Sequence, residues 1–243
     1  MTLKDYIAVQ QKNLDAALKF ELFGACCPLM DELYQLSIAA VPSDKSPVYG
    51  QFLLICHKSF LAAATLIGQA QPDDAGPITR RAIEVVRLAA AVKDDPSIAE
   101  KWIAYEERMA RWGARDRGEK PKRFHVDLPV KHPLVKELME MWGVMSDGDV
   151  HFAPEYLHSL QWKKSEREMR LEYFTGDQRT IETTLVTLFG VHMMMLRVLD
   201  DCLDGSFSSV EAWHTTRDQL NARAKPWVER LRQPEASDES VGE

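Results

Sequence analysis

Cysteine is scarce in this chain, with four in 243 residues, and none of them stands in a C-x-x-C pair. Cys26 and Cys27 are adjacent, while Cys56 and Cys202 each sit alone in an apolar helical pattern. That spacing argues against a zinc knuckle and against a disulfide framework, and it predicts buried, reduced thiols. Long hydrophobic runs are missing too. The longest apolar stretch, Phe52 to Ile67, is broken at its centre by His57, Lys58 and Ser59, which predicts a buried core helix and no membrane span. Glycine-rich phosphate loops, dinucleotide fingerprints and nucleophile elbows are also absent. The opening Met1–Tyr6 is polar and leads into an amphipathic pattern, so no secretory leader and a cytoplasmic location are expected.

What is present is ordinary globular material: 45% hydrophobic and 28% charged residues, with a net charge of −7. An acidic chain binds nucleic acid only where its basic residues gather on one face. Apolar residues recur at three- and four-residue intervals almost throughout, which predicts an all-α, multi-helix bundle. Leu3, Tyr6, Ile7, Leu14, Leu18 and Leu22 predict a first helix over 2–23, which Gly24 ends, with Pro28 opening the second. The composition of 42–47 predicts a loop, and Ser46-Pro47 the start of a helix through Gln69. Asp73 and Asp74 are placed to cap the next helix, and Asp95-Pro96-Ser97 to open one carrying Trp102 and Trp112. His132-Pro133 restarts the helical pattern; 180–203 predicts a long helix, and Ser208-Ser209 caps a last one through Leu231 despite Pro226.

One segment changes period. Leu160 and Trp162, then Met169, Leu171 and Tyr173, alternate with polar neighbours around a polar turn, predicting one small β-hairpin over about 158–174. Residues 1–232 read as a single domain, and 233–243 as a disordered acidic tail without apolar anchors.

Arg80 and Glu84 lie one turn apart on an otherwise apolar helix, where charges are costly unless paired. A second polar concentration, Met145 to His151, crowds a turn just past a helix. The pattern Arg80-x-x-x-Glu84, the helix from Trp102 to Arg111, then Ser146 and His151, resembles a family of uncharacterised all-helical bacterial proteins. That family is similar to the HEPN-like group of nucleotide- and RNA-related helical domains, and the resemblance spans the middle half of the chain. HEPN ribonucleases carry an arginine followed a few residues later by a histidine, and that pair is missing here: Arg117 is too far from His125, and Arg123 too near. What the resemblance implies is the shared polar cluster Arg80, Glu84, Ser146 and His151. His151 would then serve as general base, Glu84 would orient it and Arg80 would hold an anion. The competing reading is a sealed polar network that fixes the helices.

Weaker signals complete the inventory. Arg117, Lys122 and Arg123 in a charged loop could hold an anion, with Phe124 and His125 as stacking faces, although such runs are commonly solvated. Glu155-x-x-His158 and Glu211-x-x-His214 share the spacing of di-iron carboxylate bundles. Abundant glutamate and seven histidines make such matches expected by chance, so no metal and no cofactor is expected. Met193-Met194-Met195 beside His192 reads as core filling rather than haem ligation. Large apolar residues on the first and last helices, Trp213 and Trp227 among them, predict a homodimer. The expected function is a non-catalytic binding or regulatory module, within bacterial stress response or phage defence. The alternative is a nucleotide- or RNA-directed enzyme built on His151, Glu84 and Arg80.

Overall fold

The structure, a computed structural model, describes residues 1–119, 132–145, 174–175 and 177–233. Among these the architecture is all-α, with no strand. The helices are α1 (Leu3–Ala17), α2 (Glu21–Ala39), α3 (Val48–Gly68), α4 (Ala75–Asp94), α5 (Ser97–Ile103), α6 (Tyr105–Asp116), α7 (Pro133–Met145), α8 (Gln178–Cys202) and α9 (Glu211–Arg232). A single 3-10 turn, Pro72–Asp74, leads into α4.

Packing follows the apolar periodicity. Helix α8 is central: it touches α2, α3, α4, α7 and α9. Its buried stripe, Leu185, Leu188, Phe189, Val191, Met195, Leu196 and Leu199, meets Phe52, Leu53, Phe60 and Ile67 of α3 in one continuous core. Each such side chain removed from water contributes roughly 1.5–3 kcal/mol. Helix α4 packs beside α3, α7 lies against α4, and α9 runs along α2. Helix α1 is peripheral, with no fully buried residue.

Local chemistry explains the boundaries. Thr2 and Asp5 form a reciprocal capping box at the start of α1. Asp177 caps α8 by accepting from the backbone N–H groups of Arg179 and Thr180, at 3.1 and 3.3 Å. Asp95 does the same for Ser97 at 3.0 Å.

Several boundary expectations need correction, among them the cap of α4, which follows Asp74 without a side-chain cap. The first helix ends at Ala17, and the chain turns over 18–20 before α2 begins at Glu21. Gly24 therefore lies inside α2, where a Cβ would run into the Leu18 carbonyl oxygen. Pro28 is interior to α2 and opens nothing; it only deprives the Gly24 carbonyl of its helical donor. The helix expected from Ser97 through Trp112 is two helices, split at Ala104, whose ψ of 106° is not helical. Ser208 and Ser209 do not cap α9, which follows Val210 without a side-chain cap.

The hairpin expectation falls on residues 158–173, which lie outside the described residues, as do residues 234–243 of the tail. Two helices, α3 and α8, are long and apolar enough by length and composition to cross a membrane. Both are the inner helices of this bundle.

Candidate functional site

Of the polar cluster read from the sequence, the structure places Arg80 and Glu84, and adds a partner that spacing could not reveal. Helix α4 turns Ala82, Ile83, Val85 and Val86 into the core, and this sets Arg80 and Glu84 on the flank that faces α7. There the Arg80 guanidinium carbon lies 4.4 Å from the centroid of the Trp142 ring. The Trp142 indole N–H donates to Glu84 Oε1 at 3.0 Å, and Arg80 Nε stands 3.6 Å from the same oxygen. The triad is closed on itself: cation over ring, ring to carboxylate, carboxylate to cation. It is not sealed, since the Glu84 side chain is 52% exposed and that of Arg80 24%. Ser146 and His151 lie outside the described residues, so the structure brings together two of the four expected residues.

The remaining candidates behave differently. Arg117 is engaged by Glu119 through two hydrogen bonds, Nε to Oε1 at 2.9 Å and Nη2 to Oε2 at 3.2 Å, which satisfies its fork locally. Lys122 and Arg123 lie outside the described residues, as do Glu155 and His158. Glu211 is in the first turn of α9, and the His214 ring Nε2 lies 2.8 Å from the Ser208 carbonyl oxygen. Among the described residues no group of three or more His, Cys, Asp or Glu side chains converges as a metal site. All four cysteines are free thiols, and burial pushes Cys26 up to about 11 and Cys56 and Cys202 up to about 12.

Sequence reasoning missed a buried array between α2, α3 and α8. The Tyr34 hydroxyl meets His192 Nδ1 at 2.5 Å, both side chains fully buried. Tyr34 stacks on His57 with ring centroids 5.2 Å apart, and His57 Nε2 lies 2.5 Å from Asp31 Oδ1 at the edge of the bundle. Burial, reinforced by nearby His57, lowers His192 to about 3, so its ring is neutral at physiological pH. Burial also raises the Tyr34 phenol far above its ordinary value, so it keeps its proton and donates to Nδ1. The His192 proton then resides on Nε2, which has no hydrogen-bond partner; the imidazole meets the Phe60 ring edge-to-face, with centroids 5.4 Å apart. The signal was available in outline: His57 and His192 are the histidines inside the two helices that are long and apolar enough to cross a membrane.

A third polar group lines a cleft of about 540 Å³ between the start of α3, the end of α4, the start of α5 and the end of α8. Lys45 Nζ binds Asp204 Oδ2 at 2.7 Å, and Lys93 Nζ stands 3.5 Å from Oδ1. The hydrogen bond from Lys45, its charge and that of Lys93 hold the Asp204 carboxyl below the usual range. Two lysines face three acids in this cleft, counting Asp44 and Glu100, which leaves one negative charge in excess.

No protein-family model, curated protein or solved structure matches the chain. The likeness to the HEPN-like group thus rests on the quoted residues alone.

Proposed function

We propose that the chain is a non-catalytic binding or regulatory module that recognises an anionic ligand, a nucleotide or RNA phosphate, on the α4–α7 flank. The observation that carries this reading is Arg80. Its guanidinium lies over Trp142 and its Nε is steered by Glu84. An arginine held in this way has little freedom left to lose on binding, and its guanidinium is a planar fork suited to phosphate. Glu84 opposes an anion by charge, so the fork must bind from the side away from the carboxylate. Burial holds Cys26, Cys56 and Cys202 in the unreactive protonated form, so the enzyme alternative rests on His151, Glu84 and Arg80 and not on a thiolate. A cytoplasmic setting in a bacterial stress or defence system, and a hairpin over 158–174, belong to the same proposal.

The test is equilibrium binding of the full chain to a fluorescent single-stranded RNA and to ATP. Arg80→Ala and Trp142→Ala should each weaken binding by about tenfold, or about 1.4 kcal/mol. Melting temperatures near the wild-type value would exclude unfolding as the cause. A wild type that binds neither probe, or an Arg80→Ala variant that binds equally well, overturns the reading. If the bound RNA or ATP is hydrolysed and His151→Ala stops it, the chain is an enzyme and the alternative stands.

A further inference from the structure

Helix α7 is the half of the Arg80 site that the core holds less firmly. Its buried side chains are Val135 and Leu138, against ten buried residues in α4 and twelve in α8. Both lie in its first half. From Met139 to Met145, the part that carries Trp142, no residue is buried. Val144 is 75% exposed, and a Cβ on Gly143 would meet no neighbouring atom within 4 Å. A helix of 13 residues is marginal in water by itself, so α7 owes its order to docking. Few buried apolar contacts are the physical content of low local stability.

One polar contact ties the head of α7 down. The His132 carbonyl accepts from the N–H groups of Val135 and Lys136, which places His132 at the start of the helix. Its ring Nε2 lies 2.9 Å from Asp201 Oδ2, at the end of α8. Asp201 is ill placed for its own helix: no basic residue stands in the last turn of α8, where the dipole opposes a carboxylate. Helix α7 has the converse deficit, with no acid in its first turn. The contact answers both, and Lys93 steadies Asp201 by donating to its carbonyl oxygen. Docking also has a cost at this residue. The other ring nitrogen of His132, Nδ1, is buried and has no hydrogen-bond partner among the described residues; release of α7 would return it to water. A thin apolar anchor, one polar tie and one orphaned nitrogen leave the docked and released positions close in free energy.

We infer that α7 is an arm that docks on α4 and lifts off it, with the His132–Asp201 contact setting the balance and the Arg80–Trp142–Glu84 triad forming only in the docked position. Release leaves Arg80 on α4 but removes the ring beneath its guanidinium and the indole N–H that holds Glu84. A ligand that needs the docked form binds with an apparent affinity scaled by the docked fraction. That consequence rests on the reading of Arg80 given above; the docking equilibrium does not.

Amide hydrogen exchange of the full chain, read by mass spectrometry on peptides covering 133–145, tests this. In the wild type α7 should exchange faster than α4 and α8, through local release without unfolding of the bundle. His132→Ala and Asp201→Ala should each speed exchange of α7 several-fold, with α3 and α8 protected as before. The variant with both changes should be no faster than either alone, because the two remove one contact. Saturating single-stranded RNA should slow exchange of α7 in the wild type, and the variants should bind it more weakly in proportion to the docked fraction that exchange reports. A wild-type α7 that exchanges as slowly as α4 overturns the inference, and so does exchange in the two single variants that matches the wild type. A rise shared by α3 and α8 also overturns it, since the contact would then hold the whole bundle. RNA that binds through Arg80 yet leaves α7 exchange unchanged overturns the coupling and leaves the Arg80 reading standing. A wild type that binds no RNA ends the Arg80 reading alone, because exchange still decides whether α7 docks and releases.

Discussion

At the scale of single residues, the buried pair Tyr34–His192 makes a prediction about acid. A histidine titrates near 6.5 in an unfolded chain, whereas burial lowers His192 to about 3 in the fold. Between those two values the unfolded state carries a proton that the native state refuses. Stability must then fall as pH falls, by about 1.4 kcal/mol per unit across that window, and the loss begins just below neutrality. Replacing both partners by apolar rings of similar shape, Tyr34→Phe with His192→Phe, removes the term. The double variant should show a flatter stability profile between about pH 6 and pH 4 in urea titrations. His192→Phe alone should be worse than the pair, because it leaves the Tyr34 hydroxyl buried without an acceptor. An acid slope equal to that of the wild type would mean that His192 is not the group responsible. Carboxylates add their own contribution at lower pH. Asp204, held below its usual range by Lys45 and Lys93, gives stability that is present above that range and disappears as pH falls through its folded value.

At the scale of elements, the α1–α2 corner shows what the sequence could and could not convey. Helix periodicity runs without interruption from Leu3 to Leu22, so nothing in the apolar pattern marks the break at residues 18–20. Gly24 and Pro28 are the conventional punctuation, and both are inside α2. The reason is steric. The chain folds back so tightly that the Leu18 carbonyl occupies the place of a side chain at position 24. A glycine that stops a helix and a glycine that admits a neighbouring backbone look identical in sequence. Gly24→Ala should thus destabilise by roughly 1–3 kcal/mol, because the obstacle is backbone and cannot swing aside. At about 2–4 °C per kcal/mol in a chain of this size, the drop is readable in a thermal melt. An alanine variant at least as stable as the wild type would show that the corner is looser than described. One boundary was legible by contrast, that at Asp95 before α5, where a side chain that satisfies an orphan N–H leaves a local signature; Asp74 and Ser208-Ser209 carry the same signature and cap nothing. The Arg80–Glu84 pair was legible for the same reason, being one turn apart. Trp142 was not, because its meeting with Arg80 depends on how α7 docks on α4, fifty-eight residues from Glu84.

At the scale of the whole molecule, the central question is which solvent the bundle is built for. Helices α3 and α8 pass a length and hydropathy test for membrane crossing, yet they carry Lys58, Glu182, His192 and Arg197. Ionisable groups within a lipid-embedded helix cost several kcal/mol each unless paired. Here Glu182 is engaged by Arg230 of α9, and His192 by Tyr34, while Lys58 is exposed. Two of these polar groups are therefore paired by neighbouring helices, and the apolar faces meet one another in a single core. We propose on that ground that α3 and α8 are inner helices of a water-borne bundle, where burial by protein does what lipid would otherwise do. The expected outcome is that the full chain, expressed without detergent, stays in the supernatant after high-speed centrifugation and after an alkaline carbonate wash of the membrane fraction. It should also unfold in urea as one cooperative transition, with a slope fitting exposure of the whole core. A chain that sediments with membranes and is released only by detergent would mean that α3 and α8 separate from their partners and enter lipid. The bundle, and with it the Arg80–Trp142 flank, would then describe a different state of the protein from the one in the cell.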